Sequence, residues 1–255
     1  MNLFKKIVIK ILQWFFGNPN IFLKTKDIIL TNPSEHLYRS AKYIKSKNLN
    51  IPNDKFLILD IGAANGNTSR FFSKKFPECP VIGFEPIKSM AKIAEENCYS
   101  SKKIKIRNLA LGKLKENKKF HVTQDKLSSS YFEINTNQLN NINQEHKDKF
   151  QIKEIVEVQC STLDDEFQNE NVLLMKIDTQ GSELDILTGG KQLLNSTNFI
   201  LIEMSTHYLY NGGSFYFQTD SFLRENGFAL VDIYVTYRPN GKISEYDALY
   251  EKIKN

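Results

Sequence analysis

The chain is poor in cysteine, and its cysteines do not lie where a disulfide framework or a zinc site would need them. The three, Cys79, Cys98 and Cys160, are odd in number, far apart and without a C-x-x-C motif. Disulfide-rich secreted scaffolds use even numbers of cysteines, and structural zinc sites use closely spaced pairs. The sequence therefore argues against both, and it favours a reducing, cytoplasmic location.

The chain also lacks a concentration of positive charge. Its 255 residues carry 34 lysines and arginines against 29 aspartates and glutamates, a net charge of +5, and the two signs are well mixed. Nucleic-acid-binding domains typically show a basic stripe interleaved with aromatic residues, which is absent here. We therefore expect no nucleic-acid partner.

The length suits one large α/β domain or two small ones.

Residues 1–16 lack both the length of a bilayer-spanning segment and the small-residue cleavage site of a secretory signal. Asn2, Lys6, Lys10 and Gln13 recur at helical spacing, and apolar side chains fill most of the other positions. This pattern predicts a basic amphipathic helix, which suits peripheral contact with the inner face of a membrane. The alternative is a helix that packs on its own domain, or on a second copy in a homo-oligomer.

Two glycines follow a strongly apolar segment. Residues 56–61 predict a buried parallel strand, and Gly62 and Gly66 follow it with the small Ala63 and Ala64 between them. Small residues let the backbone turn sharply and approach a ligand closely. A dinucleotide fingerprint needs a third glycine, and a phosphate loop needs a following Lys-Ser or Lys-Thr; neither is found.

An acid ends the second predicted strand. Glu85 follows residues 81–84 and lies 19 residues beyond Gly66. A carboxylate at that place can accept two hydrogen bonds from a ribose diol. A glycine loop without phosphate chemistry, together with a ribose acid, fits S-adenosylmethionine better than NAD. An NAD-dependent reductase uses the same strand, loop and acid, so it stays open as an alternative.

Charged residues recur at the ends of two later strands. Lys176 and Asp178 end the fourth core strand, Glu203 ends the fifth, and His207 follows four residues later. The carboxyl ends of parallel strands form the ligand edge of such a sheet, so we expect these side chains to meet a ligand there. A carboxylate there could stabilise a sulfonium or take the proton of a hydroxyl nucleophile. Asp178 and Glu203 could instead hold a divalent cation, but two carboxylates alone do not predict a metal site.

Apolar and helical segments alternate over most of the chain. Predicted strands cover residues 56–61, 81–84, 104–107, 172–178 and 199–203, and predicted helices cover 67–75, 87–97, 182–194 and 218–226. The last pair of strands, 228–234 and 247–253, is antiparallel because a Pro-Asn-Gly turn at 239–241 joins it. The pattern predicts an α/β fold with a doubly wound, mostly parallel sheet and one antiparallel strand at its end.

Two parts of the chain fall outside this alternation. Residues 1–50 are predicted to form an N-terminal helical extension, with a helix over 34–47, and residues 51–255 to form the α/β domain. An Asn/Gln-rich insertion at about 133–150 interrupts that domain. Short β-like pieces surround it at 119–123, 129–132 and 155–160. The insertion could fold over the ligand edge, and the alternative is a solvated loop.

Taken together, these motifs resemble the FkbM-type family of S-adenosylmethionine-dependent methyltransferases. The resemblance covers about residues 56–234. It rests on Asp60–Gly66, Phe84–Pro86, Asn108–Gly112, Ser161–Asp164, Lys176–Glu183 with Leu187 and Gly189, and Glu203. It implies the class I methyltransferase (Rossmann-like) fold, S-adenosylmethionine as cofactor and, usually, O-methylation of a sugar, glycan or other small hydroxylated acceptor. The chain has Gln180 where many relatives carry glutamate.

The resemblance also implies roles for individual residues. The implied cofactor contacts are Asp60, Gly62, Ala63, Asn65, Gly66, Glu85, Pro86, Asn108 and Ala110. Asp178 would face both the cofactor's methyl group and the acceptor. Asp178, Glu203 and His207 are the predicted catalytic residues, His207 because of its position after the fifth strand. A methyltransferase fold that binds ligands without catalysis is the remaining alternative.

Overall fold

The computed structural model describes residues 35–52, 55–139, 147–238 and 241–253. The predicted amphipathic helix at residues 1–16, two residues of the predicted turn at 239–241 and the centre of the Asn/Gln-rich insertion lie outside this part of the chain. The division at residue 50 stays a prediction for the same reason. No helix within the described ranges is long and apolar enough to cross a membrane.

The described elements follow the predicted alternation. The helices are α1 (Glu35–Ser46), α2 (Asn67–Lys75), α3 (Lys88–Cys98), α4 (Thr136–Leu139), α5 (Leu163–Glu166), α6 (Glu183–Thr188) and α7 (Tyr216–Glu225), with 3-10 turns at Asp148–Phe150 and Leu193–Ser196. The strands are β1 (Phe56–Ile61), β2 (Val81–Phe84), β3 (Ile104–Arg107), β4 (Ala110–Leu111), β5 (Glu116–Thr123), β6 (Ile152–Ser161), β7 (Asn171–Ile177), β8 (Thr197–Ser205), β9 (Phe228–Tyr237) and β10 (Glu245–Lys252).

Seven strands form the main sheet, in the order β3-β2-β1-β7-β8-β10-β9. Neighbouring strands are parallel except at β10, which is antiparallel to both β8 and β9. The predicted doubly wound, mostly parallel sheet is therefore confirmed. The antiparallel strand lies one position inside the edge, because the chain returns from β9 into the space beside β8.

Helices cover both faces of this sheet. On one face α6 and α7 contribute Ile186 and Leu223 to the core, and on the other α1 and α2 contribute Ile44 and Phe72. With both faces covered, β7 is buried from its second residue to its last. This near-continuous burial is typical of parallel strands between two helical layers, and it explains why the strand segments of the sequence are so apolar.

The segment between β3 and β7 forms a second, three-stranded sheet in the order β4-β6-β5. Strand β5 pairs antiparallel with β6, and β4 pairs parallel with it. The predicted pieces at 119–123 and 155–160 are confirmed. Residues 129–132 form no strand, and only Ser130 makes an isolated bridge, with His121. The described start of the Asn/Gln-rich insertion bridges to the loop after β8, where Ile134 pairs with Tyr210.

The predicted continuous helix over residues 182–194 is wrong. Helix α6 ends at Thr188, and a separate 3-10 turn begins at Leu193. The Gly189 carbonyl accepts the Asp164 backbone N–H at 3.0 Å, and a Cβ at Gly189 would lie 2.2 Å from the Gly112 carbonyl oxygen. This close contact with a distant segment redirects the chain. The other helices predicted within the described ranges agree with the structure to within two residues at each end.

The Asp164 carboxylate anchors the segment that follows this break. It accepts backbone hydrogen bonds from Gln192 at 3.1 Å and from Leu193 at 3.0 Å. We expect Asp164→Ala to lower the free energy of unfolding by about 1–3 kcal/mol, the range for a lost cap with charge-assisted hydrogen bonds. The matched control is Asp165→Ala, which removes an exposed neighbouring carboxylate. Urea denaturation checks this, and equal losses in both variants would contradict it.

Candidate active site

A cavity of about 230 Å³ opens at the ligand edge, where β1, β2, β7 and β8 end. Its wall includes Gly62, Glu85, Pro86, Ala110, Asp178 and Glu203. Six of the predicted site residues therefore meet at one place. The other predicted residues lie behind this wall or beside it.

The glycine loop after β1 contacts the ends of β2 and β7. Gly62 has a φ of +84°, and its N–H and that of Ala63 donate to the Phe84 carbonyl at 3.0 and 2.9 Å. A Cβ at Gly62 would lie 1.9 Å from the backbone oxygen of Asp178. Any side chain would therefore clash with the end of β7. The two-glycine motif reflects this close approach of backbones as well as access to a ligand.

Several predicted cofactor residues support the loop from behind. Asp60 is fully buried, accepts a hydrogen bond from the Ser69 hydroxyl, and has a pKa that burial raises to about 6. Its Oδ1 atom finds no hydrogen-bond partner in the described part of the chain. Asn65 accepts the Asn67 N–H at 3.2 Å, where α2 begins after Gly66. These residues, with Ala63, do not line the cavity.

Glu85 lines the cavity with a carboxylate fixed by backbone. Its two oxygens accept N–H groups from Ala64 at 3.0 Å and from Ile87 at 2.8 Å. Asn108 lies behind it and donates to the carbonyls of Glu85 and Pro86, at 2.9 and 2.8 Å. Burial raises the pKa of Glu85 to about 7. Each carboxylate oxygen keeps a free acceptor position, so a ribose diol can still bind here.

Apolar side chains complete this half of the cavity. Phe84, Ile87, Met90, Leu109 and Leu111 form its wall. A purine base needs such a surface, a ribose needs the Glu85 carboxylate, and a sulfonium needs a negative group at the far end. The residues present fit S-adenosylmethionine: Glu85 would hold the ribose, this wall the adenine and Asp178 the charged end.

An ion pair dominates the other half of the cavity. Asp178 Oδ2 lies 2.6 Å from Nζ of Lys176, whose side chain is almost completely buried. Burial alone would raise the pKa of Asp178, but Lys176 and the hydrogen bond from Gln180 hold it below its ordinary value. Burial alone would lower the pKa of Lys176, but the carboxylates of Asp178, Asp247 and Asp60 raise it. Both groups are therefore charged at neutral pH.

Glu203 faces Asp178 in a different environment. Burial, followed by the charges of Asp178, Glu245, Asp247 and Glu183, raises its pKa well above the ordinary value. The Gln180 side-chain amide donates to Glu203 at 2.7 Å and to Asp178 at 3.2 Å. It therefore occupies the position between the carboxylates that a bridging cation would need. No cluster of three metal-ligating side chains occurs within the described ranges.

His207 does not line this cavity. It lies on a second cavity of about 20 Å³ that shares Gln180 and Glu203 with the first. A volume of this size suits a single water molecule. The His207 Nδ1 atom is 2.8 Å from the Thr206 hydroxyl, and that hydroxyl donates to the Ile243 carbonyl at 2.6 Å. Its catalytic role stays a prediction, and its placement gives the imidazole no direct access to the larger cavity.

One wall of the cavity, next to the second sheet, was not predicted from the sequence. Lys126, Leu127, Ser129 and Tyr131 line the cavity from the segment after β5. Lys126 has a φ of +61°, and its Nζ atom donates to the Ser89 hydroxyl at 3.1 Å. No motif marks this segment, because its position depends on the distant pairing of β5 with β6. The lapse in strand–helix alternation was the signal available in the sequence.

Comparison with known proteins identifies the family. The model of the methyltransferase FkbM domain matches residues 60–230. The 2-O-methyltransferase NoeI of Sinorhizobium fredii is 28% identical over 162 residues, which is 61% of this chain and 66% of NoeI. This chain therefore spans slightly less than two thirds of NoeI. Methyltransferase 1 of Beauveria bassiana is 25% identical over 189 residues, which is 70% of this chain and 74% of that protein.

Among solved structures, an S-adenosylmethionine-dependent O-methyltransferase from Thermotoga maritima is 11% identical, with a TM-score of 0.48. The similarity covers 91% of this chain and 69% of that one. The family model matches well over half of the sequence and includes Glu85 and Asp178. The mostly parallel sheet agrees with the Rossmann-like fold that the family resemblance implied. The family match gives the reductase alternative no support. This chain belongs to the FkbM family of methyltransferases.

Proposed function

We propose that this protein transfers a methyl group from S-adenosylmethionine to a hydroxyl oxygen of a sugar, glycan or other small acceptor. The observation that carries the proposal is Asp178, an ionised carboxylate that lines the cavity beside a buried lysine. The name of NoeI, a 2-O-methyltransferase, supports the same chemistry from a distant relative.

An alcohol is a poor nucleophile at neutral pH, so it needs a base within hydrogen-bond reach as the new bond forms. Held by Glu85 and the apolar wall, S-adenosylmethionine would supply the methyl group for the acceptor oxygen, and S-adenosylhomocysteine would be the product that leaves. Asp178 takes the hydroxyl proton and later releases it to water. The walls on either side orient the acceptor oxygen toward the methyl carbon.

The test of this function is a transfer assay with a methyl-labelled cofactor. Candidate acceptors are free sugars, glycans and other small polyols, and mass spectrometry locates the label. Label on a hydroxyl oxygen supports the proposal. Label on nitrogen or carbon would contradict it. Cofactor binding without transfer to any acceptor would favour the non-catalytic alternative.

The ionisation of Glu85 predicts how cofactor affinity depends on pH. Its pKa of about 7 means that the carboxylate is mostly protonated at pH 6 and mostly ionised at pH 8. Ribose hydroxyls donate best to the ionised form, so S-adenosylhomocysteine should bind about tenfold more tightly at pH 8 than at pH 6. Isothermal calorimetry measures this.

The control for this prediction is Glu85→Gln, which should bind weakly and without that pH dependence. It separates Glu85 from Asp60, whose pKa of about 6 lies in the same window. Glu95→Ala, on the exposed face of α3, should behave like the wild type. An unchanged dissociation constant in Glu85→Gln would remove Glu85 from the cofactor site.

The role of Asp178 predicts a large effect on turnover. Asp178→Asn keeps the shape of the side chain and removes its charge, so kcat should fall by about 100-fold or more, the range for a lost general base. The dissociation constant of S-adenosylhomocysteine should change much less, because a base acts in the transition state. His207→Ala, outside the larger cavity, should cost less than Asp178→Asn. Near-normal turnover in Asp178→Asn would rule out this base.

We also propose peripheral contact of residues 1–16 with the anionic inner face of a membrane. The direction of α1 supports it: His36 lies 3.7 Å from Asp247, and Lys47 lies 2.7 Å from Glu251. Asp247 pairs with Glu203 near the end of β8, and Glu251 pairs with residue 199 near its start. Helix α1 therefore begins at the ligand edge.

Exposed aromatic side chains at the same edge add support. Tyr208, Tyr216 and Phe217, after the end of β8, are 47%, 40% and 51% exposed. Aromatic rings are favourable at the interface between a bilayer and water. Contact here would bring the cavity close to acceptors that are attached to lipids.

The single tryptophan of the chain, Trp14, reports on this contact. Its emission should shift to shorter wavelength when vesicles containing phosphatidylglycerol are added to the full-length protein. Lys6→Glu with Lys10→Glu should abolish the shift, because it reverses the attraction to anionic lipid. A spectrum that does not respond to vesicles, or responds equally to neutral ones, would mean that the segment packs on protein.

A further inference from the structure

Gln180 forms the partition between the two cavities, and its side chain connects the groups on either side. It follows Asp178 by two residues and has a φ of +59°, in the left-handed region that few non-glycine residues adopt. Its neighbour Gly181 has a φ of +104°. The turn is unusual for a glutamine, and it directs the side chain between two carboxylates.

The chemistry of its neighbours fixes the orientation of the Gln180 amide. Nε2 donates to Asp178 Oδ1 at 3.2 Å and to Glu203 Oε2 at 2.7 Å, and Oε1 lies 2.9 Å from the Tyr210 hydroxyl. Asp178 is ionised and only accepts, so the amide nitrogen must face it, and the amide oxygen then faces Tyr210. Both amide hydrogens are thereby used.

The two carboxylates that Gln180 joins are not equivalent. Asp178 has the Lys176 ammonium at 2.6 Å on its other oxygen. Glu203 instead faces further acids on α6 and β10. The charged and titratable groups packed around this pair are Lys176, Glu183, Glu245, Asp247, His207, Tyr210, Asp60 on β1 and His36 on α1. One lysine cannot compensate all of these acids, so they cannot all be ionised together.

We propose that Gln180 is a positioning residue that holds Asp178 and Glu203 as an unequal pair, Asp178 ionised as the base and Glu203 protonated as its neutral partner. The inference rests on the O-methylation proposed above. The hydroxyl proton of the acceptor passes to Asp178 as the O–CH3 bond forms. Glu203 stays neutral and leaves its own proton available to a second hydroxyl of the acceptor. A vicinal diol, as in a sugar, is the acceptor that uses both groups.

The length and the donor character of the glutamine both matter. A glutamate at this position would place a third carboxylate against two others, and it would have to take up a proton before it could donate to either. A methionine has a similar length but donates nothing at any pH. Both variants keep the length of the side chain, so they separate the effect of a charge at residue 180 from the effect of a lost donor.

The experiment compares Gln180→Glu and Gln180→Met with the wild type over pH 6–9. Gln180→Glu should lose about tenfold or more in kcat at pH 8 and recover as the pH falls toward 6, since only its protonated form donates. Gln180→Met should lose activity at every pH. The affinity for S-adenosylhomocysteine should stay within about threefold in both, since Glu85 is untouched. The controls Gln159→Glu and Gln159→Met, on the exposed side of β6, should match the wild type.

A second readout needs no acceptor. Carboxyl-carbon NMR of protein labelled in Asp and Glu, assigned with Asp178→Asn and Glu203→Gln, follows both acids directly. Asp178 should titrate below Glu203 in the wild type, and at higher pH in Gln180→Met than in the wild type. Identical titrations in these two proteins would overturn the proposal, as would a loss of kcat in Gln180→Glu that does not vary with pH. If no hydroxyl is methylated, the proposed function fails while the NMR result still decides whether the pair is unequal.

Discussion

The buried ion pair of Lys176 and Asp178 is the interaction on which the ligand edge depends. Taking an ammonium out of water costs several kcal/mol unless anions surround it. Lys176 lies opposite Asp60 in the register of β1 and β7, and Asp178 and Asp247 complete its surroundings. The ends of β1, β7 and β10 are therefore held around one cation. The loop that carries Gly62 packs on the backbone of Asp178 itself. The position of this loop, on the proposed cofactor side of the cavity, therefore also depends on the ion pair.

Burial and the charges of neighbouring acids set the titration of the acids at this edge. Burial raises the pKa values of Glu85, Glu245 and Asp247 to about 7, from ordinary values of 4.5, 4.5 and 3.8. The stability that such groups contribute is fully present below the pKa that they have in the unfolded chain. It is lost as the pH rises through the pKa that they have in the folded protein. Asp178 has the opposite sign, because its folded pKa is lowered. Near neutral pH, Glu85, Glu245 and Asp247 therefore contribute less to the stability of the fold than they do at low pH. Asp178 is ionised there and contributes fully.

The parts of this site that the sequence predicts are those fixed by local pattern. Strand β1, the turn at Gly62 and the acid at Glu85 follow from apolar runs and small residues at short spacing. The break at Gly189 does not, because Asp164 enforces it from a distant position in the chain. The wall formed by Lys126 and its neighbours depends in the same way on the pairing of β5 with β6. Residue spacing placed His207 at the right edge of the sheet, but it could not tell which cavity a loop residue would face.

The three acids at neighbouring strand ends show how environment divides one chemical group into different roles. Asp60 is buried behind the loop and accepts a hydrogen bond from the Ser69 hydroxyl, and Glu85 has its oxygens fixed by two N–H groups while it faces the cavity. Asp178 alone of the three has a lysine in direct contact. A sequence motif records that a carboxylate is present at each place, and the packing around it decides whether that carboxylate is ionised. The proposed division between ribose binding and proton transfer follows from that difference in surroundings.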